Sequence, residues 1–273
     1  MMAPSGTHGS VSFSWNPHEF RDLLRSCERD EGVRFALKYL TDKKTNILEA
    51  GCGSGRVVKY LHDLGFENVK GIELASETVL WANTNLPDLD IVAGDILSMP
   101  YGRHSFDVVI SFGVVEHFVS GPREPLMAIR DVLKPNGLAI VTVPSLNYVR
   151  RMAAALRTFT SRASGHRRGG PAAGEERPPY VAYPSADRFF EYRMTPRQFE
   201  SECLGAGFEI VESAPIANID GIYHMFGRLG RRVAVFDHWE FRVGWLGRVI
   251  HASLGRIPFM VNHMHACVLR NPG

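Results

Sequence analysis

Residues 46–61 read NILEAGCGSGRVVKYL. Three glycines, Gly51, Gly53 and Gly55, and one cysteine, Cys52, separate two apolar runs, and a carboxylate, Glu49, stands just before them. The first run, Asn46 to Ala50, reads as a strand. After the turn, Val57, Val58, Leu61 and Leu64 fall at the spacing of a helix with one buried face, and Gly65 ends it. Amides left unpaired at the start of such a helix favour an anionic group. Glycine permits positive φ and lets a ligand come within contact distance of the backbone. The segment is therefore a strand, a ligand-sized bend and a helix.

The same alternation continues along the chain. NVKGIEL, DIVAGDI, SFDVVISF and GLAIVTVP read as further strands, and SETVLWANTNL and EPLMAIRDVL as the helices between them. Val108–Ile110 and Leu138–Val143 are apolar without alternation, the mark of strands buried on both faces. Strict alternation from 46 to 144 predicts an α/β, doubly wound parallel sheet covered by helices. Ligands of such sheets sit beyond the carboxyl ends of the strands. Ahead of the sheet, residues 1–45 read as a loose tail and two cap helices. Asn16-Pro17 opens the first, with Phe20, Leu23 and Leu24 on one face, and Val33, Phe35, Ala36 and Leu40 mark the second.

Composition narrows the setting. Across 273 residues, 45% are hydrophobic, 22% are charged, and the formal net charge is +2. That balance is ordinary for a globular protein and calls for no nucleic-acid partner. The four cysteines lack metal-ligand spacing, and their density suits a reducing compartment. The N-terminus lacks the basic and apolar pattern of a secretory signal. The longest apolar stretch, GWLGRVIHASLGRIPFMV, is interrupted by Arg248 and Arg256. A cytoplasmic location is the expectation.

The glycine bend departs from a dinucleotide site in two ways. Such a site asks for G-x-G-x-x-G, and here Arg56 stands where the third glycine would fall. Glu49 would repel a pyrophosphate but attract an ammonium or a sulfonium. S-adenosylmethionine carries a carboxylate, an ammonium and a positive sulfur, and fits both halves. ILEAGCGSG resembles motif I of class I S-adenosylmethionine-dependent methyltransferases. Further segments are similar to that family in order and spacing: Glu73 at the end of strand two, AGDI with Asp95 and Ile96, SFDVVISF with Ser111 and Phe112, and LKPNG, read as the turn before strand five.

The resemblance implies a Rossmann-like sheet of seven strands in the order 3-2-1-4-5-7-6, the last antiparallel, with helical insertions. It implies S-adenosylmethionine as cofactor, held by Glu49, Gly51, Cys52, Gly53, Gly55, Glu73, Leu74, Asp95, Ile96, Ser111 and Phe112. In that reading Glu73 accepts both ribose hydroxyls, Asp95 receives the adenine amine, and the Ile96 backbone meets the adenine edge. Each residue also has a plainer reading, with Glu73 a solvated strand end and Asp95 a helix cap.

Methyl transfer is an in-line displacement, so the protein mainly aligns an acceptor behind the methyl group. A hydroxyl acceptor needs a base. His117, just past strand four, is the candidate, with Glu116 beside it; the alternative is a capping or core histidine. Glu116-His117 resembles the EH of ubiquinone-pathway O-methyltransferases. Those relatives place a metal-holding Glu three residues before that glutamate, where this chain has Gly113. No metal is expected, and the quinone-type acceptor loses support.

Acceptor choice is expected in two insertions within 46–273. In the first, about 145–191, Tyr148, Val149, Met152, Leu156 and Phe159 lie near one helical face. Arg150, Arg151, Arg157, Arg162, Arg167 and Arg168 make it basic. It reads as a lid or surface helix ahead of membrane contact or recognition of an acidic acceptor, and 169–179 reads as a linker. TPRQFESECLGAGF then gives a helix with Thr195 as N-cap and Phe199, Cys203 and Leu204 inward, and MHACVLRN the last strand. The second insertion, about 217–262, is rich in aromatics, among them Tyr223, Phe226, Phe236, Trp239, Phe241 and Trp245. They build extra core or an acceptor pocket, with His224 and Asp237 as acceptor-side polar groups. The function that follows is methyl transfer to a small molecule, to oxygen first. The alternatives are a non-catalytic S-adenosylmethionine binder and an NAD(P)-dependent oxidoreductase.

Overall fold

The computed structural model describes residues 20–153, 181–185, 188–225, 233–237, 240–254 and 256–273. The Asn16-Pro17 helix start, Leu156, Arg157, Phe159, Arg162, Arg167, Arg168, the linker, Phe226 and Trp239 lie outside them. Two short helices, α1 (Phe20–Ser26) and α2 (Glu31–Leu37), precede β1 (Asn46–Ala50). The chain continues through α3 (Arg56–Asp63), β2 (Asn68–Glu73), α4 (Ser76–Asn85), β3 (Asp90–Ala93), β4 (Phe106–Phe112), α5 (Arg123–Val132) and β5 (Leu133–Pro144). A hairpin follows, β6 (Val181–Ser185) and β7 (Arg188–Arg193), then α6 (Pro196–Gly205), β8 (Glu209–Ile216) and α7 (Asn218–Met225). A second hairpin, β9 (Ala234–Asp237) and β10 (Glu240–Val243), leads to α8 (Trp245–Leu254) and β11 (Met264–Arg270).

Seven strands form one sheet in the order β3-β2-β1-β4-β5-β11-β8. β1 pairs in parallel with β2 and β4, and β11 runs antiparallel between β5 and β8. This is the order and direction expected from the sequence. Successive residues of each strand enter opposite layers. Leu48, Val109 and Val141 meet Leu126 and Ile129 of α5 and Phe199 of α6 on one face. Ile47, Val108 and Ile140 meet Val33 of α2, Val57 and Leu61 of α3 and Ala82 of α4 on the other. Each fully buried aliphatic side chain contributes about 1.5–3 kcal/mol. That is why the central stretches of β1, β4 and β5 are mostly apolar.

Three local readings need correction. Leu64 and Leu204, read as inward, are 40% and 57% exposed, because each sits past the buried stripe of its helix. The LKPNG segment is not a turn ahead of the strand. β5 starts at Leu133 opposite Phe106, and Leu138 already faces Val108, so residues 134–137 bulge out against Asp107. Asn136 takes φ 64° there. The bulge is held by Asn136 N donating to Asn271 O (2.8 Å) and by Lys134 Nζ on Asp107 Oδ1 (2.8 Å). The first insertion also ends in a hairpin that the sequence reading passed over.

α2 explains how the N-terminal helices bear on the site. Asp30 caps it, accepting from Gly32 N (2.9 Å) and Val33 N (3.2 Å). A methyl group at Gly32 would come within 3.8 Å of Phe112 at the end of β4 and of Ile216 at the end of β8. The helix therefore lies across the carboxyl edge of the sheet. In the second insertion, Ile222, Val233 and Val261 form a separate small core with Val149, Ile250 and Leu254 packed on it.

Candidate active site

The glycine bend folds over the end of β2. Gly51, Gly53 and Gly55 take φ of 81°, 53° and 80°, the left-handed region that favours glycine. Gly51 N and Cys52 N donate to Ile72 O at 2.9 and 3.0 Å, and Gly55 N donates to Cys52 O at 2.9 Å. Gly53 N donates to Glu73 Oε2 (2.9 Å), while Glu73 Oε1 accepts from Ala75 N (2.9 Å). Each Glu73 oxygen thus holds one backbone amide and keeps a lone pair. There is no spare room at the bend: a Cβ at Gly51 would lie 2.5 Å from Val114 Cγ2, and one at Gly55 2.4 Å from Ile91 Cδ1.

Glu49 is 4% exposed, and its Oε2 has no hydrogen-bond partner. Burial pushes its carboxyl up to about 8, opposed by the Arg56 charge and the Val58 amide. Arg56 in turn donates to Asp30 Oδ2 (2.7 Å) and to Cys27 Sγ (3.3 Å), tying α3 to the cap helices. Burial also raises Glu73, offset by the amides it accepts. An orphaned, buried carboxylate oxygen beside a side-chain-free bend suits a ligand that is cationic at one point and needs the backbone close. S-adenosylmethionine fits that description.

The shifted Glu49 makes a stability prediction. Its pKa is raised on folding, so its contribution is fully present below about 4.3 and is lost as pH climbs to about 8. Glu49→Gln, neutral at every pH, should match the parent near pH 4. It should become more stable by on the order of 2–4 kcal/mol at pH 9. Urea unfolding across that range reads the difference, and a pH-independent gap would mean the carboxyl titrates normally.

The remaining expected residues line the same edge. Ser111 is fully buried and donates to Ala50 O (3.1 Å), joining β4 to β1. Asp95 Oδ1 accepts from Leu97 N (2.9 Å), capping a short 3₁₀ turn over Ile96–Ser98. The plainer cap reading thus describes one oxygen and leaves the other. Ile96 is buried and Leu74 half-buried at the neighbouring strand ends. Glu116 and His117 sit on a 3₁₀ turn after β4, both buried, with Nε2 of His117 3.9 Å from Oε1 of Glu116. Burial holds Glu116 well above the usual carboxylate range. Among the described residues, no group of three or more His, Cys, Asp or Glu is placed to hold a metal.

A cavity of about 950 Å³ opens at Arg56, the residue after the bend; Glu49, the bend glycines, Glu73, Glu116 and His117 do not line it. Phe112 and Gly113 of the β4 end, Arg56 of α3 and Asp30 of the α2 cap line one side; Asp220 of α7 and Phe241 of β10 line the other. The second insertion therefore contributes both separate core and cavity wall. His224 lies with Asp220 Oδ1 2.9 Å from its Nε2, an ion-pair contact without the alignment of a hydrogen bond. His263, pushed down to about 4 by burial, takes its Nδ1 to Arg150 Nη2 (2.8 Å). Asp237 falls in β9 with its side chain outside the described residues. The sequence reading missed Asp30, Arg56 and Asp220. An Asp just ahead of an apolar helix was the available signal for Asp30; the other two depend on tertiary contacts.

Comparison with known proteins agrees with this geometry. Residues 48–141 match the family model described as a methyltransferase domain. The ubiquinone biosynthesis O-methyltransferase of Cereibacter sphaeroides is 30% identical over 148 residues, covering 49% of this chain and 59% of that one. The demethylmenaquinone methyltransferase of Renibacterium salmoninarum is 30% identical over 96 residues, covering 35% and 39%. Among solved structures, an S-adenosylmethionine-dependent methyltransferase from Mesorhizobium loti superposes with a TM-score of 0.55 at 15% identity, covering 89% of this chain and 99% of that one. The fold and the glycine bend define a class I methyltransferase domain. Residues 48–141 are a methyltransferase domain of the S-adenosylmethionine-dependent type, and S-adenosylmethionine is its cofactor. The chain spans about two fifths to three fifths of the length of the curated relatives it matches.

Proposed function

We propose that this protein transfers a methyl group from S-adenosylmethionine to a hydroxyl of a small organic acceptor held in the cavity that opens at Arg56. The observation that carries the reading is the cavity's position. It shares Phe112, Gly113 and Arg56 with the edge at which the bend lies. Residues 46–273 are the transferring domain, and 1–45 a tail and cap helices ahead of it. Glu49, the Gly51–Gly55 bend, Cys52, Glu73 and Leu74 hold the methionine and ribose parts. Asp95 and Ile96 meet the adenine, and Ser111 and Phe112 close the donor side.

Bound there, the cofactor supplies a methyl group that is already activated. The chain's part is to exclude water and to align an acceptor oxygen. Phe112, Phe241, Ile216 and Met264 give the cavity an apolar wall, while Asp30, Arg56 and Asp220 give it polar points of orientation. His117 and Glu116 do not line the cavity, but Glu116 Oε1 lies 3.5 Å from where a Cβ on the lining residue Gly113 would sit. His117 is the base of this reading, with the Glu116 carboxyl beside it. The ubiquinone-pathway relatives support oxygen as the methylated atom.

An acceptor screen scored by S-adenosylhomocysteine release tests the reaction class. Donor binding without release for any hydroxylated acceptor would favour a non-catalytic binder. His117→Ala should slow turnover about 100-fold with donor affinity unchanged in calorimetry. Full activity would move the base elsewhere.

A further inference from the structure

Six of the exposed large apolar side chains among the described residues lie on two neighbouring segments. Trp245 is 72% exposed, Val249 56% and Leu246 43%, all on the outer side of α8. Ile257 just beyond the helix is exposed too, as are Tyr148 and Met152 on a helical turn over 148–153. Of the apolar residues on that turn, Val149 turns inward, onto the small core with Ile250 and Leu254. The inner side of α8 already holds the helix in place. Its outer stripe is surplus to the fold.

The two exposed segments form a common surface. Tyr148 N donates to Phe259 O (3.0 Å), Val149 N to Met260 O (3.3 Å), and Asn147 Nδ2 to Asn262 O (2.6 Å). The charge on them is one-sided. From Phe241 to Gly273 the sequence has no Asp or Glu, while Arg248 and Arg256 flank the apolar stripe. From Val132 to Gly174 it again has none, and Arg151 stands beside Tyr148. The whole chain carries only +2, so this face is strongly positive relative to the rest.

We propose that the outer side of α8, with the 148–153 turn, docks onto the surface of an anionic lipid bilayer. A helix with Trp, Leu and Val outward and arginines at its flanks lies in the interface plane, burying the apolar stripe at the acyl boundary while the guanidinium groups meet lipid phosphates. No helix among the described residues is long and apolar enough to cross a membrane, so the contact is peripheral. A second copy of this chain fits less well. A two-fold interface would set Arg248 and Arg256 against themselves with no acid in the stripe to pair them. Single-stranded nucleic acid would need stacking rings where Leu246, Val249 and Ile257 stand.

Co-sedimentation with vesicles of phosphatidylglycerol and phosphatidylcholine, against phosphatidylcholine alone, tests this. Binding is expected only to the anionic vesicles and is released by 0.5 M salt on the order of the screening of such contacts. Arg248→Gln and Arg256→Gln should each lower the partition coefficient about fivefold. Val249→Glu should abolish binding while donor affinity, read by calorimetry, stays at the parent value. Trp245→Phe should still bind but lose the blue shift of tryptophan emission seen when vesicles are added. Absence of co-sedimentation at high phosphatidylglycerol content overturns the proposal. So does binding of both arginine variants at the parent level, or light scattering that shows a dimer which Val249→Glu dissolves. Because donor binding is measured alongside, a failure here is distinguishable from a failure of the transferase reading.

Discussion

Gly51→Val should abolish detectable binding of S-adenosylmethionine and lower stability by about 2–5 kcal/mol. Two costs add. A β-branched residue at φ 81° sits in the left-handed region at about 1–2 kcal/mol. Its Cβ also meets Val114 Cγ2 at 2.5 Å, an overpacking worth about 1–3 kcal/mol. The chain can relieve both only by moving the bend off the Ile72 carbonyl that receives the Gly51 and Cys52 amides. That movement displaces the backbone surface the ligand needs. Gly65→Ala is the control. It has φ 86° but nothing within 4 Å of the new methyl, so it should lose some stability and no donor affinity. Calorimetry at a temperature where both variants are folded separates them. Tight binding by Gly51→Val would show that the bend is not the donor site.

Glu73→Ala should weaken donor binding about 100-fold, the equivalent of two to three kcal/mol for charge-assisted hydrogen bonds. The side chain has two jobs in the fold as well as its proposed one. It accepts Gly53 N from the bend and Ala75 N from the start of α4. Removing it leaves one buried and one part-buried amide without that acceptor, so the urea midpoint should also fall. Glu73→Gln keeps one acceptor oxygen and should recover most of the stability but little of the affinity. If Glu73→Ala is folded and binds the donor as the parent does, the ribose role passes to another residue.

These outcomes concern a part of the molecule that is written locally in the chain. β1, the bend and α3 are contiguous, and their pattern of apolar run, glycines and helical spacing needs no distant partner to be read. The same holds for Thr195, whose side chain accepts from Gln198 N in a capping box at the start of α6. The acceptor side is different. Asp30, Arg56 and Asp220 come from three elements far apart in sequence, and only the crossing of α2 over the sheet edge brings them to one cavity. Leu64 and Leu204 fail for a related reason, since periodicity marks a stripe but not where the neighbouring layer ends. The 181–193 hairpin was legible in principle. Two runs rich in Val, Tyr and Phe lie two residues apart, a spacing that favours a hairpin, but the arginines and prolines before them drew the reading toward a linker.

The place of β11 has a bearing on how the polypeptide is made. The final strand lies between β5 and β8, so neither can find its neighbour until residues 264–270 have left the ribosome. Five parallel strands can assemble first, with the outer edge of β5 open. β8, synthesised some fifty residues earlier than its partner, waits without a sheet to join. An open edge of that kind invites pairing with other chains. Closing it waits on that strand, and a polypeptide halted shortly before it would present two sticky borders.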